Sequence, residues 1–290
     1  MSDLPVHLRE DLTRVYTKFH HQEGIPKFKD FTTGRTMIDE CELMCRLHRV
    51  SRSEADEYAA LSYTRAIEAQ EKNLLTDRVT IKVDADVIAD KDYPMQPTSL
   101  DVLSKLNAVS TDFSKKWGLG NSPNKFGTVT AGNSSKIADG GAVVLISSEK
   151  KALDFGYQPL ATIKDYVTTC HNPENDFLGG SVYAIAKLMK KNRLKFSDIG
   201  VWEIHEAFAA QIVYTLKCLN DEHFLQQNLN ISESFGKLTP NDINKCGGTL
   251  AFGHPLSATG SRLINMACQQ LKLKNEKYAI VCSCATGGQV

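Results

Sequence analysis

The sequence has no surplus charge of either sign: in 290 residues, 34 lysines and arginines balance 34 aspartates and glutamates. A nucleic-acid-binding surface needs a basic excess, and none is present. No apolar run approaches the roughly 20 residues required to cross a bilayer. The opening Met1-Ser2-Asp3-Leu4-Pro5-Val6-His7-Leu8-Arg9-Glu10 lacks both the apolar stretch of a secretory signal and the acid-poor character of a transit peptide, so no address is evident. Internal repeats and low-complexity tracts are also missing. What remains, with 42% hydrophobic and 23% charged residues, is the composition of a globular protein of one large or two ordinary domains.

The eight cysteines, at 41, 45, 170, 218, 246, 268, 282 and 284, show no framework-like spacing and fall in apolar periodic segments, as intracellular thiols do. Cys41, Cys45 and His48 share one face of an expected helix and could present metal ligands. Core filling is the preferred reading, because Met37 and Met44 lie in the same segment and no fourth ligand is visible. Cys282 and Cys284, two apart, are expected on one face of a strand.

Along the chain, Leu8, Leu12, Val15 and Phe19 recur at helical spacing, and residues 22–33 read as loop. Helix is expected over Thr36–Val50, and Ser51-Arg52-Ser53-Glu54 forms a capping box that opens a second helix reaching about Asn73. Arg78–Asp84 alternates like a strand. From about 84 to 127 the chain is polar and punctuated by proline and glycine, with a short helix near Leu100–Leu106; its length suits an excursion that covers a site. Strands are expected at Ala142–Ser148, Leu160–Thr168, Val201–Ile204 and Tyr278–Ser283. Helices are expected at Glu149–Phe155, Ser181–Asn192, Ala207–Leu219 and after His254. Such alternation indicates a layered α/β fold.

Three motifs carry chemistry. Cys246-Gly247-Gly248-Thr249-Leu250-Ala251-Phe252-Gly253-His254-Pro255 reads as a glycine-rich turn before a helix, with Pro255 in the first turn and His254 near the N-terminus. The positive end of the helix would keep that imidazole neutral and able to take a proton or hydrogen-bond. Cys284-Ala285-Thr286-Gly287-Gly288-Gln289 adds a thiol. His205-Glu206-Ala207-Phe208-Ala209 follows a strand and opens a helix, which is an active-site address in α/β folds. A zinc-protease reading fails there, since the second histidine it requires is Ala209. Alone, His205 reads more readily as a satisfied core histidine than as a catalytic one.

Taken together, and joined by the Gly127-Thr128-Val129-Thr130-Ala131-Gly132-Asn133-Ser134-Ser135 run, these motifs resemble the thiolases over nearly the whole chain. Histidine at 205, where asparagine is usual in that family, makes the likeness strongest to long-chain 3-ketoacyl-CoA thiolases of the trifunctional type. The resemblance implies an α-β-α-β-α layered thiolase fold, here an incomplete copy that contains the loop domain and the C-terminal half. Residues 1–137 would be the loop domain covering coenzyme A, 138–156 a remnant of the N-terminal domain, and 157–290 the C-terminal domain.

It further implies thiolysis of 3-ketoacyl-CoA to acetyl-CoA and a shortened acyl-CoA, in fatty acid β-oxidation in mitochondria. No cofactor or metal is implied, with coenzyme A itself as substrate. Expected partners are a second copy of the chain or a trifunctional-type α-subunit, with possible peripheral membrane contact. By the same resemblance His254 activates the nucleophile and binds the thioester oxygen, and Cys284 is the acid/base at the enolate carbon. His205 forms an oxyanion hole, Ser135 contacts the pantetheine arm, Phe208 walls the acyl pocket, and the Thr286 backbone N–H joins a second oxyanion hole. No residue matches the family's nucleophilic cysteine, which is expected upstream of Met1, and the final strand is expected beyond Val290. A non-catalytic coenzyme A-binding or assembly subunit is therefore the alternative. A cysteine hydrolase using a Cys284–His254 pair ranks third.

Overall fold

The computed structural model describes residues 29–30, 32–82, 88–89, 92, 98–109, 127–284 and 290. The expected helix at 8–19, most of the loop at 22–33, most of the excursion at 84–127, and Thr286 lie outside the described residues.

Helix α1 (Met37–Leu47) opens on a capping box in which the Thr36 hydroxyl accepts from Asp39 N and the Asp39 carboxylate accepts from Thr36 N. Helix α2 (Arg52–Glu71) opens on the Ser51/Glu54 box legible in the sequence. Cys41, Met44 and Cys45 of α1 turn into the core, as do Ala55, Tyr58, Ala59, Tyr63 and Ala66 of α2. Among the described residues no three His, Cys, Asp or Glu side chains are grouped to hold a metal. The Cys41/Cys45/His48 face is core filling, with the His48 ring packed 4.4 Å from that of Tyr214.

The short ladder of β1 (Ile81–Lys82) and β2 (Ile88–Ala89) is antiparallel, and α3 (Leu100–Ser104) follows. Polar side chains of α1 and α2 fasten the 127–135 run. Glu42 accepts from Thr128 N (3.0 Å) and Val129 N (2.8 Å), while Asp56, paired with Arg52, accepts from Asn133 Nδ2 at 2.9 Å. Each carboxylate is buried and each is met by donors, which is the condition for burying it.

The C-terminal part holds α4 (Glu149–Asp154), α5 (Pro173–Asp176), α6 (Gly180–Asn192), β3 (Val201–Ile204), α7 (Ala209–Leu219), α8 (Glu222–Leu229), α9 (Thr249–Phe252), α10 (Ala258–Lys274) and β4 (Ala279–Cys282). Strands β3 and β4 are parallel, with Val201 opposite Ala279 and Ile204 opposite Cys282. Helix α10 packs on both strands and α6 on β4, and every residue of β3 is buried, as expected for a parallel strand covered on both faces. Helix α7 packs against α1, α2 and α6, so one core joins α1 and α2 to the C-terminal elements.

Several expectations need correction. Ala142–Ser148 forms no strand: Val143, Leu145 and Ile146 are 86%, 74% and 67% exposed. Leu160–Thr168 likewise has no strand partner among the described residues; the first backbone pairing there is at Thr169, whose N–H and C=O both bond Val290. A strand exists only with a neighbour to receive its backbone groups, and composition reports the side chains alone. In the described part of Arg78–Asp84, only Ile81 and Lys82 are paired. Pro255 is not in a helical first turn: Leu256 takes φ +44° and α10 begins at Ala258 after the cap Ser257. Helix α7 starts at Ala209, two residues later than expected, and α8, capped by Asp221, was not foreseen.

Candidate active site

Two parallel strands ending side by side place their following residues at one edge of the sheet, where α/β proteins build ligand sites. His205 follows Ile204, and its N–H donates to Cys282 O (2.8 Å), extending the β3–β4 ladder by one bond. Cys284 lies two residues past β4. Its Sγ is 3.2 Å from His205 Nδ1, although the residues are 79 apart in sequence. Cys282 and Cys284 therefore do not share a strand face, because β4 ends at Cys282.

The second histidine arrives on the glycine-rich turn. Gly247 has φ +75°, and a Cβ there would lie 2.8 Å from the backbone of Ala66 in α2, so only glycine suits both the angle and the approach. Gly253, at φ +85°, ends α9 and turns the chain into His254. The His254 ring then lies 4.4 Å from that of His205, tilted by 40°. His254 Nδ1 is 2.7 Å from the hydroxyl of Thr259, which is buried in the first turn of α10.

Glu206 holds the two histidine loops in register. Its fully buried carboxylate accepts from Tyr58 Oη (2.8 Å), Ser62 Oγ (2.8 Å), Asn244 Nδ2 (2.7 Å) and Leu250 N (3.2 Å). Its backbone N–H donates to Thr249 Oγ1, which in turn donates to Glu206 O. One side chain thus ties α2 and the 244–250 turn to the residue beside His205.

The 133–138 segment stitches the same loops from the other side. Ser135 N donates to Ala207 O and Ala209 N to Asn133 O, with Ser134 bridged to Phe208. Next, His254 N donates to Lys136 O (2.6 Å), and Ile137 pairs with His254. Ser135 is therefore adjacent to both histidine loops, and Phe208 is buried in the wall beside it.

Electrostatics keep the pair uncharged. Burial, then the neighbouring His254 and Arg262, lower the His205 pKa to about 3. Burial, then Arg262, lower that of His254. The Arg262 guanidinium sits over the Phe252 ring at 5.7 Å. Burial drives the Cys284 thiol up to about 12. His205 Nδ1 and Cys284 Sγ are within hydrogen-bond distance, the direction being set by the ring's tautomer; Nε2 is buried with no partner among the described residues. An unpartnered buried ring nitrogen beside a thiol is an exception to the usual pairing of buried polar groups.

His205, His254 and Cys284 thus converge, with Ser135 and Phe208 on the adjoining segments. The thiol contacts His205, whereas a Cys284–His254 pair is not formed, which removes the geometry the hydrolase reading required. Sequence reasoning missed Glu206, Asn244, Thr259 and Arg262; an acid directly after His205 was the sole local signal for any of them.

The thiolase N-terminal domain family matches residues 1–150 and the thiolase C-terminal domain family residues 157–290. The bovine mitochondrial trifunctional enzyme subunit beta is 35% identical over 308 residues, covering 100% of this chain and 62% of that protein. A probable 3-ketoacyl-CoA thiolase of Caenorhabditis elegans is 35% identical over 91% of this chain and 57% of its own length. The crystal structure of human mitochondrial 3-ketoacyl-CoA thiolase in complex with CoA superposes with a TM-score of 0.71 at 28% identity, covering 90% of this chain and 59% of that one. The chain thus spans a little over half the length of these relatives, and it belongs to the thiolase family.

Proposed function

We propose that the protein acts as an acetyl-CoA C-acyltransferase of fatty acid β-oxidation, cleaving 3-ketoacyl-CoA with coenzyme A to acetyl-CoA and a shortened acyl-CoA. The contact between Cys284 Sγ and His205 Nδ1 carries this reading, since it sets a protonated thiol against an imidazole whose Nε2 has no partner among the described residues. Cleavage of the Cα–Cβ bond of a 3-ketoacyl thioester leaves the enolate of acetyl-CoA. The His205 Nε2–H meets the enolate oxygen, and the neutral His254 ring lies alongside it. Preorganised donors at such an oxygen contribute the largest part of the rate. The Cys284 thiol gives its proton to the enolate carbon. Its raised pKa keeps it protonated for this purpose.

Ser135 and Phe208 are assigned to the pantetheine arm and the acyl chain, and the Thr286 N–H to a second oxyanion hole. Residues 1–137 act as the loop domain, 138–156 as part of the N-terminal domain and 157–290 as the C-terminal domain. No bound cofactor is required. The names of the mitochondrial relatives support a mitochondrial location, with a second copy or an α-subunit as partner.

A covalent thiolase cycle also needs a thiol to carry the acyl group. Among the described residues, Cys284 is the only thiol hydrogen-bonded to either histidine, an observation that favours a non-catalytic coenzyme A-binding or assembly subunit as the second reading. The two are separated by assaying the native protein, isolated with whatever sequence accompanies these residues in the cell. The enzyme reading expects cleavage of 3-ketoacyl-CoA that Cys284→Ala reduces at least about 100-fold. Coenzyme A binding without cleavage at any acyl length would overturn it.

A further inference from the structure

Helix α10 is brought up to the histidine pair by an unfavourable piece of backbone. Leu256, between His254 and the helix, takes φ +44°, a left-handed conformation that is costly for a residue carrying a Cβ. Two turns follow, with Ala258 N donating to Pro255 O (3.1 Å) and Thr259 N to Leu256 O (3.2 Å), and they carry Thr259 back to His254. Thr259 is fully buried, and the His254 ring is the only partner of its hydroxyl among the described residues, with Oγ1 lying 2.7 Å from Nδ1. A buried hydroxyl without a hydrogen bond is costly, and valine fills the same shape without one. Packing therefore gives no use for the hydroxyl, whereas bonding to the ring does.

The same helix holds the other side of the turn. Arg262, three residues on and so on the same face of α10, sets its guanidinium over the Phe252 ring. Phe252 and His254 flank Gly253, whose φ of +85° lets the chain turn between them. Contacts to both neighbours of that glycine leave the His254 ring its own torsions as the remaining freedom, and the Thr259 hydroxyl removes it. With Nδ1 engaged, Nε2 has no partner among the described residues. His254 is half-buried, and its Nε2, unlike that of His205, is not closed off from solvent. It is the ring nitrogen of the pair that an incoming molecule can meet.

We propose that Thr259 is the positioning residue of His254: its hydroxyl holds Nδ1, fixes the plane and tautomer of the ring, and keeps Nε2 turned toward the substrate. This role rests on the acyl-CoA reaction proposed above. Without the hydroxyl, the ring is free to turn about its Cβ–Cγ bond and exchange its two nitrogens. The direction of the bond follows the tautomer, which the ring nitrogens themselves report.

The test combines NMR of the 290-residue chain, its histidines labelled with heavy nitrogen, with deuterium uptake into acetyl-CoA by the same chain. At neutral pH the ring is uncharged, because burial and then Arg262 lower its pKa, so its two nitrogen resonances read the tautomer. They should be widely separated in wild type, draw together in Thr259→Val, and separate again in Thr259→Ser, which restores the hydroxyl. Deuterium uptake should fall about 10- to 100-fold in Thr259→Val, the scale of a small misplacement within a site, and Thr259→Ser should recover most of that loss. Averaged nitrogen resonances in wild type, a Thr259→Val chain equal to wild type in both measurements, or a folded Thr259→Ser as impaired as Thr259→Val would overturn the proposal. Should Thr259→Val not fold, the wild-type and Thr259→Ser spectra still decide. Should wild type take up no deuterium, the reaction proposed above fails, and the spectra alone decide the part played by Thr259.

Discussion

Cys284 Sγ and His205 Nδ1 meet at 3.2 Å because two parallel strands in register end together and each releases one chemical group at the same edge. The thiol has a neutral imidazole beside it, and that ring's Nε2 is buried with no partner among the described residues. In the proposed reaction, proton delivery and oxyanion stabilisation would be coupled through a single imidazole.

The first prediction separates the two halves of catalysis. The 290-residue chain by itself is expected to give no thiolysis of acetoacetyl-CoA, since Cys284 is held protonated and no second thiol is bonded at the site among the described residues. Turnover that survives removal of contaminating thiolase and disappears in Cys284→Ala would show that Cys284 also carries the acyl group.

Replacement of His205 should discriminate a donor from a packing residue. In the native protein, His205→Ala should lower the rate of cleavage about 10²- to 10³-fold, the usual effect of deleting one oxyanion donor. His205→Asn, which keeps an N–H in the same region, should recover most of that loss. Equal rates for the two variants would mean that the ring supplies shape alone.

Protonation should link the site to stability. His205 falls from 6.5 to about 3 on folding, so between those values the unfolded chain binds more protons than the folded one. Its contribution is fully present above pH 6.5 and is lost as pH falls toward about 3. Glu203 acts in the opposite sense: burial raises it from 4.5 to about 8, so its contribution is present below pH 4.5 and is lost as pH rises toward 8. Urea midpoints measured against pH should show a shallower acid limb in His205→Asn and a shallower rise of instability toward pH 8 in Glu203→Gln. Superimposable profiles for wild type and both variants would contradict the burial of these groups.

Glu206→Ala should destabilise the chain by at least about 3 kcal/mol, since it strands buried donors from Tyr58, Ser62, Asn244 and Leu250 at once. Thermal unfolding checks this. A loss below about 1 kcal/mol would mean that the histidine loops are held chiefly by the 133–138 segment.

Much of this was legible in the sequence, and the failures have a common cause. The Ser51/Glu54 box, the strand Val201–Ile204 and the helix after it are written in neighbouring residues, so pattern alone finds them. Ala142–Ser148 has the composition of a strand, yet its pairing depends on backbone elsewhere, and Val143 and Ile146 stay exposed. The helix α8 is short and polar, with only Asp221 to mark its start. Within the site, motif spacing nominated His205, His254 and Cys284. The cradle around Glu206 could not be foreseen, because its partners come from positions 58, 62, 244 and 250.

The exposed segment leads to a further expectation. Val143→Lys with Ile146→Lys should leave the free energy of unfolding, measured by urea denaturation, within about 1 kcal/mol of wild type, as substitutions at exposed positions do. A loss above about 2 kcal/mol would mean that these side chains are covered in the folded protein.

Enolate chemistry at His205 and Cys284 is most directly tested by deuterium uptake into the methyl group of acetyl-CoA, followed by mass spectrometry in deuterated buffer with the 290-residue chain. Exchange starts when the Cys284 thiol loses its proton to water, after which the thiolate takes one methyl proton and returns a deuteron to the carbon, and it needs no acyl-carrying thiol. Uptake above the uncatalysed rate, reduced at least about 100-fold in both Cys284→Ala and His205→Ala, is the predicted result. Uptake that is the same in wild type and Cys284→Ala, or absent from a folded wild-type chain that binds acetyl-CoA, would contradict it.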